Sequence, residues 1–180
     1  MTSLRTARTA LALALAATAL AGCTPQPAPT PLPTAGFATE DEAFAAAEET
    51  YRAYVDALNA VDLSDPETFE DVYAWTTGDA NSEFRRTFSE MHANGWTVSG
   101  LSEVQIVEGT EWSPSDGQSS LAICIDVSAV ELVDSSGSSV VDADRPDVQS
   151  MRVDLQETPG SATGWLISSL SGREGEPTCR

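Results

Sequence analysis

Lysine is missing altogether from this 180-residue chain, and its nine basic residues are all arginine. Against 28 acidic residues they leave a formal net charge of −19. So large an acidic excess repels nucleic acid and anionic lipid headgroups, which excludes both as direct partners of a folded domain. Histidine occurs once, so any acid–base chemistry built on imidazole would have to use His92. There is no Gly-x-Ser-x-Gly elbow, no P-loop and no dinucleotide-binding glycine pattern, which removes the common hydrolase, nucleotide and NAD readings. No apolar run reaches the roughly 20 residues that a membrane-spanning helix needs. The acids Asp142, Asp144 and Asp147 cluster, but they lack the turn glycine and closing glutamate of a calcium loop, so neither a metal nor another cofactor is expected. Cysteine occurs three times, at Cys23, Cys124 and Cys179.

What is present begins with a leader. Arg5 and Arg8 precede Ala10 to Leu20, which is almost wholly alanine and leucine, the composition of an export signal that is processed rather than retained. The two arginines are not adjacent, which favours the general secretory route over a twin-arginine exporter. Leu20-Ala21-Gly22-Cys23 then resembles the lipobox of a bacterial lipoprotein. That resemblance implies removal of residues 1–22, a thioether-linked diacylglyceryl group on Cys23, and an extracytoplasmic protein anchored by lipid to the cell membrane. Two acyl chains make a stable anchor where one does not. Losing the leader removes Arg5 and Arg8 but no acid, leaving seven arginines against 28 acids and a net charge of −21. Thr24 to Ala38 carries Pro25, Pro27, Pro29, Pro31 and Pro33, which favour an extended polyproline spacer of about 3.1 Å per residue. Residues 23–38 are thus read as lipidated cysteine and tether, and residues 39–180 as one domain with a C-terminal tail.

With Cys23 committed to lipid, Cys124 and Cys179 remain. In an oxidising compartment two remaining cysteines most often pair, and a zinc site from two thiols without a nearby histidine is a poor alternative.

Within the domain, Thr39-Glu40-Asp41-Glu42 has capping-box form, and apolar residues from Phe44 to Leu58 recur at helical spacing, predicting a helix over Glu40 to Asn59. Ser64-Asp65-Pro66-Glu67 opens a short second helix and Asp79 a third, about Ala80 to Ala93, stopped by Asn94-Gly95. The period then changes to two. A long first strand is expected from Trp96 to Ile106 with Gly100 a candidate bulge or bend, then a loop over Glu108 to Gln118, and a second strand from Leu121 that slips phase at Ala129, as a bulge would cause. Asp134 to Asp147 reads as a polar connection. Met151 to Leu155 and Trp165 to Leu170 complete the sheet as a hairpin.

Three helices followed by four antiparallel strands predict an α+β domain with the helices packed on a curved sheet. The order, the helix lengths and the Asn94-Gly95-Trp96 entry into the sheet resemble the cone-shaped nuclear transport factor two-like fold, which includes SnoaL-like proteins and ketosteroid isomerase. The whole chain resembles small lipoproteins of Gram-positive bacteria. The resemblance implies a cone cavity, and Tyr51, Tyr54, Tyr73 and Trp75 either line it for an apolar ligand or pack as core. Tyr51 or Tyr54 with Asp126, or His92 in a His/Asp arrangement, could serve a small isomerase, lyase or hydrolase; Asp126 and Arg152 are more simply a cross-strand pair. No residue is assigned as catalytic. The expected function is a non-catalytic binding or interaction module of the cell envelope. Its partners are the membrane through Cys23, a small apolar ligand or an envelope protein, and a second copy should the sheet face dimerise.

Overall fold

The computed structural model describes residues 36–180. The leader, Cys23 and the tether as far as Ala35 lie outside the described residues. Helix α1 spans Glu40–Asn59 and starts where the capping box places it. Thr39 is extended, at φ −140° and ψ 159°, and its hydroxyl accepts a hydrogen bond from the Glu42 amide at 3.2 Å. The Glu42 carboxylate in turn accepts from the Ala38 amide at 3.0 Å, and three acids in the first turn suit the helix dipole. Ala43, Ala47, Thr50, Tyr51, Tyr54 and Val55 form the buried stripe. Alanines lead that stripe, so the helix lies close on the sheet, and the buried Trp165 indole donates to the Ala43 carbonyl at 3.1 Å.

The second helix is short, as predicted, and comes in two pieces. Asp65 caps a 3₁₀ turn over Pro66–Thr68, which runs into α2, Phe69–Tyr73. Helix α3 covers Gly78–Ala93 and begins earlier than an Asp79 cap would allow. No side chain caps it; instead the Thr77 amide donates to the Ile167 carbonyl at 2.8 Å, so a tertiary contact sets the start. The same bridge, with the Ile167 amide donating to the Trp75 carbonyl at 3.0 Å, covers one edge of the sheet.

Among the described residues, six strands form two antiparallel sheets. The main sheet has the order β2-β3-β5-β6, from Glu103–Ser113, Gln118–Asp126, Val148–Glu157 and Trp165–Gly172. Leu121, Ile123, Val153, Leu155, Trp165 and Ile167 point from one face into the core beneath the three helices. This is the α+β architecture read from the sequence. Register shifts between Val104 and Ile106, Gly109 and Glu111, and Asp154 and Leu155 bend the sheet.

Three sequence-based expectations are corrected here. The long first strand breaks at Gly100, whose φ is +80° and whose absent Cβ would lie 1.8 Å from the Ala129 carbonyl oxygen. The piece before the break, β1 at Thr97–Ser99, therefore leaves the main sheet and pairs with β4 at Glu131–Val133. The apparent phase slip at Ala129 is the end of β3 and the approach to this second ribbon, not a bulge. The expected loop after Glu108 is strand as far as Ser113, hidden because Gly109 supplies no side chain. A Cβ there would sit 2.3 Å from the Phe44 ring, so a phenyl group from α1 occupies the place.

Cys124 and Cys179 are joined, with Cα atoms 5.4 Å apart. Cys124 lies on the sheet face away from the helices and is fully buried beneath the tail. Arg173 braces that tail, donating to the Gly175, Glu176 and Pro177 carbonyls at 3.0, 2.7 and 2.8 Å.

Candidate functional site

The residues singled out from the sequence do not converge. Tyr51 and Tyr54 are core residues, 1% and 4% exposed, with ring centroids 5.8 Å apart, and Tyr54 also packs on Phe84. Burial raises both phenol pKa values far above the ordinary range, and the neighbouring Tyr51 adds to the rise at Tyr54. Neither phenol therefore ionises at neutral pH to act as a base. Burial also raises Tyr73, against the opposing charge of Arg85, whose guanidinium lies 4.0 Å from the ring centre. The aromatics fill the cone under the sheet rather than line it, because the helical stripe that carries them faces inward.

His92 closes the last turn of α3, and its Nδ1 donates to the Leu63 carbonyl at 2.7 Å, a structural clamp between helix and loop. Trp75 borders a shallow hollow with Asp56, Asp71 and Ala162. Asp126 ends β3 and accepts from the Ser128 amide at 2.9 Å and the Gln105 amide at 3.2 Å. Hydrogen bonds from Ser128 hold its carboxyl below the usual value. The expected Asp126–Arg152 pair is corrected: β3 and β5 are neighbours, but Asp126 stands opposite Val148 and Arg152 opposite Ala122. Four residues of register separate the two side chains.

Arg152 instead belongs to a polar groove on the outer sheet face, of about 480 Å³. Its guanidinium donates to Glu111, Asp154 and the Ser120 hydroxyl at 2.7, 2.8 and 2.7 Å. Asp154 also accepts from the Ser120 and Ser169 hydroxyls at 2.7 and 2.9 Å. Partial burial opposes ionisation of Asp154, yet these hydroxyl bonds and the arginine together hold its pKa below the ordinary value. Sequence reading missed this network because its members come from four strands. Each is an ordinary polar position of an alternating strand, and both Asp154 oxygens and one Glu111 oxygen are already occupied by protein donors. The arrangement braces the sheet.

A second concavity, of about 450 Å³, differs in character. It opens where the C-terminal ends of α1 and α3 meet the β1–β4 ribbon. Leu58 from α1, Leu63 from the loop beyond, Phe88 and Met91 from α3, Val98 from β1 and Leu132 from β4 supply its walls. Val130 and Val141 extend them, the latter brought in by a turn in which the Val140 amide donates to the Leu132 carbonyl at 3.0 Å. Asn59 braces one side, giving its amide hydrogen to the Ser102 carbonyl at 2.9 Å and accepting from the Ser102 amide at 2.8 Å. Arg145 is the one charged residue of the lining. Its Nη2 donates to the Val127 and Val130 carbonyls at 2.9 and 3.0 Å. This volume lies within the about 300–1,000 Å³ usual for small-molecule sites. The signal available in the sequence was an apolar pair, Val140-Val141, inside an otherwise polar connection.

Among the described residues, no group of three or more His, Cys, Asp or Glu side chains is placed to hold a metal ion, Asp142, Asp144 and Asp147 included. No described helix is long and apolar enough to cross a membrane.

No protein-family model matches the sequence, and no curated protein matches it. Solved structures resemble the fold. A provisionally assigned aromatic ring hydroxylase from Novosphingobium aromaticivorans is 18% identical with a TM-score of 0.48, over 75% of this chain and 96% of that one. The intermembrane space region of the chloroplast protein ARC6 is 13% identical with a TM-score of 0.49, over 72% and 95%. The VirB8 protein of Agrobacterium tumefaciens is 13% identical with a TM-score of 0.40, over 79% and 99%. Likeness at this level carries neither a residue nor an activity across to this chain.

Proposed function

We propose that the protein is a binding module of the cell envelope, held outside the membrane by a diacylglyceryl group on Cys23, that takes a small apolar ligand without transforming it. The pocket lining carries this reading. It joins a continuous apolar wall to Asn59 and Arg145, with no carboxylate, imidazole, thiol or phenol among the lining side chains. Such a surface gains by removing apolar area from water and offers no group to exchange a proton. Both tyrosines and His92 are committed elsewhere, as core and as clamp. The anchor rests on the lipobox resemblance and the proline-rich stretch that follows it.

Two measurements test the two halves. Cells fed an alkyne-tagged fatty acid should label the wild-type protein and not Cys23→Ser; an unlabelled wild type removes the anchor. Native mass spectrometry of protein taken from its own envelope should find a small-molecule adduct that Leu132→Trp, which fills the pocket, abolishes. An adduct that persists in Leu132→Trp refutes the pocket as the binding site.

A further inference from the structure

Resting on the pocket reading above, we infer that the ligand is an amphipathic carboxylate, an apolar chain or ring ending in an anionic head that Arg145 receives at the pocket wall. The inference comes from the one cation lining this pocket. Among the described residues, Arg52, Arg85, Arg86 and Arg152 each hold a carboxylate. Arg173 is spent on the carbonyls of the tail, and Arg180 is exposed at the C-terminus, away from this pocket's lining. Arg145 makes no ion pair among the described residues, in a chain with 28 acids from which to draw a partner.

Its geometry suits the task. The two bonds from Nη2 to the Val127 and Val130 carbonyls fix the guanidinium plane at the pocket wall. Nε and Nη1 have no hydrogen-bond partner among the described residues, which leaves donors of a fixed cation for single, charge-assisted hydrogen bonds to an anionic acceptor. A carboxylate oxygen can accept from either free donor, and a guanidinium already held in place loses little side-chain freedom on binding it. The nine apolar side chains around it take the rest of the molecule.

The acidic surface works against any anion, and its effect can be sized. At physiological ionic strength charges more than about 8 Å away are largely screened, whereas a contact pair is not. The exposed Asp142, Asp144 and Asp147 lie within three positions of Arg145 and reduce the gain without cancelling it. The expected preference for a charged over a neutral head is therefore about tenfold, equivalent to about 1.4 kcal/mol.

The test compares octanoate with octanol by isothermal titration calorimetry on the exported full chain carrying Cys23→Ser, so that no attached acyl group competes. Octanoate should bind about tenfold more tightly than octanol, and Arg145→Gln should bring the ratio of the two affinities to about one. Equal affinities in the unmodified pocket overturn this inference and leave the apolar pocket standing. A preference that persists in Arg145→Gln overturns it as well, because the head would then sit elsewhere. Binding of neither probe overturns both readings. Should Arg145→Gln fail to fold, Leu132→Trp decides, since an octanoate preference that survives filling the pocket refutes the assignment.

Discussion

Replacing Cys179 with alanine should cost this domain about 4 kcal/mol of stability. The bridge to Cys124 spans 55 positions of sequence. Closing a loop of that size removes about 14 cal/mol/K of chain entropy from the unfolded state, which at 25 °C is about 4 kcal/mol. The folded state gives up little in exchange. Strands β5 and β6, which lie inside the loop, stay in the sheet through their own ladders, and Arg173 still gathers the tail. Cys179 is the better site to change, being only partly buried, whereas Cys124 is fully buried and its loss would add a packing cost. Urea unfolding followed by the fluorescence of the four tryptophans, of which Trp165 is fully buried, gives the quantity directly. The variant should unfold at lower urea with a slightly larger m-value, because the uncrosslinked chain exposes more surface. Its melting temperature should fall by roughly 10 °C for a domain of this size. A Cys179→Ala protein within about 1 kcal/mol of wild type would refute the loop-entropy account. So would a reductant that destabilises both proteins equally.

Gly109→Ala should cost about 1–3 kcal/mol, because the new methyl group would meet the Phe44 ring 2.3 Å away and displace α1 from β2. Calorimetric melting measures it, and a double variant with Phe44→Leu should lose less than the sum of the singles. Asp154 titrates below its ordinary value of 3.8 in the folded protein, so its contribution is present above that pH and lost as pH falls through the folded value. Asp154→Asn should therefore be less stable than wild type at neutral pH, with the difference shrinking in acid melts below about pH 4. A constant gap across the whole range refutes an ionic role for this carboxylate.

What the sequence disclosed was local. The capping box at Thr39, the Asp65-Pro66 entry and the inward stripe of α1 depend on residues within a few positions, and each stands where the pattern puts it. The distant contacts were concealed. Gly109 looks like a loop residue until Phe44 is seen to occupy its missing side chain. Gly100 looks like a kink in one strand until the Ala129 backbone is found pressed against it. The start of α3 carries no cap because Ile167, about 90 positions away, supplies the acceptor instead. The candidate pocket was the least legible part. Its walls come from two helices, two short strands and four connections, so no single stretch of chain has the composition of a binding site.

The break at Gly100 also divides the molecule in time. The β1–β4 ribbon rests on three residue pairs, Thr97↔Val133, Val98↔Leu132 and Ser99↔Glu131, while the main sheet is four strands wide. A two-stranded ribbon is marginal by itself and opens at a free energy well below that of global unfolding. Its amide protons should therefore exchange with solvent long before those of β3 and β5. Since Val98 and Leu132 are walls of the concavity, it loses two of its walls whenever this ribbon unzips, independently of how tightly the core holds.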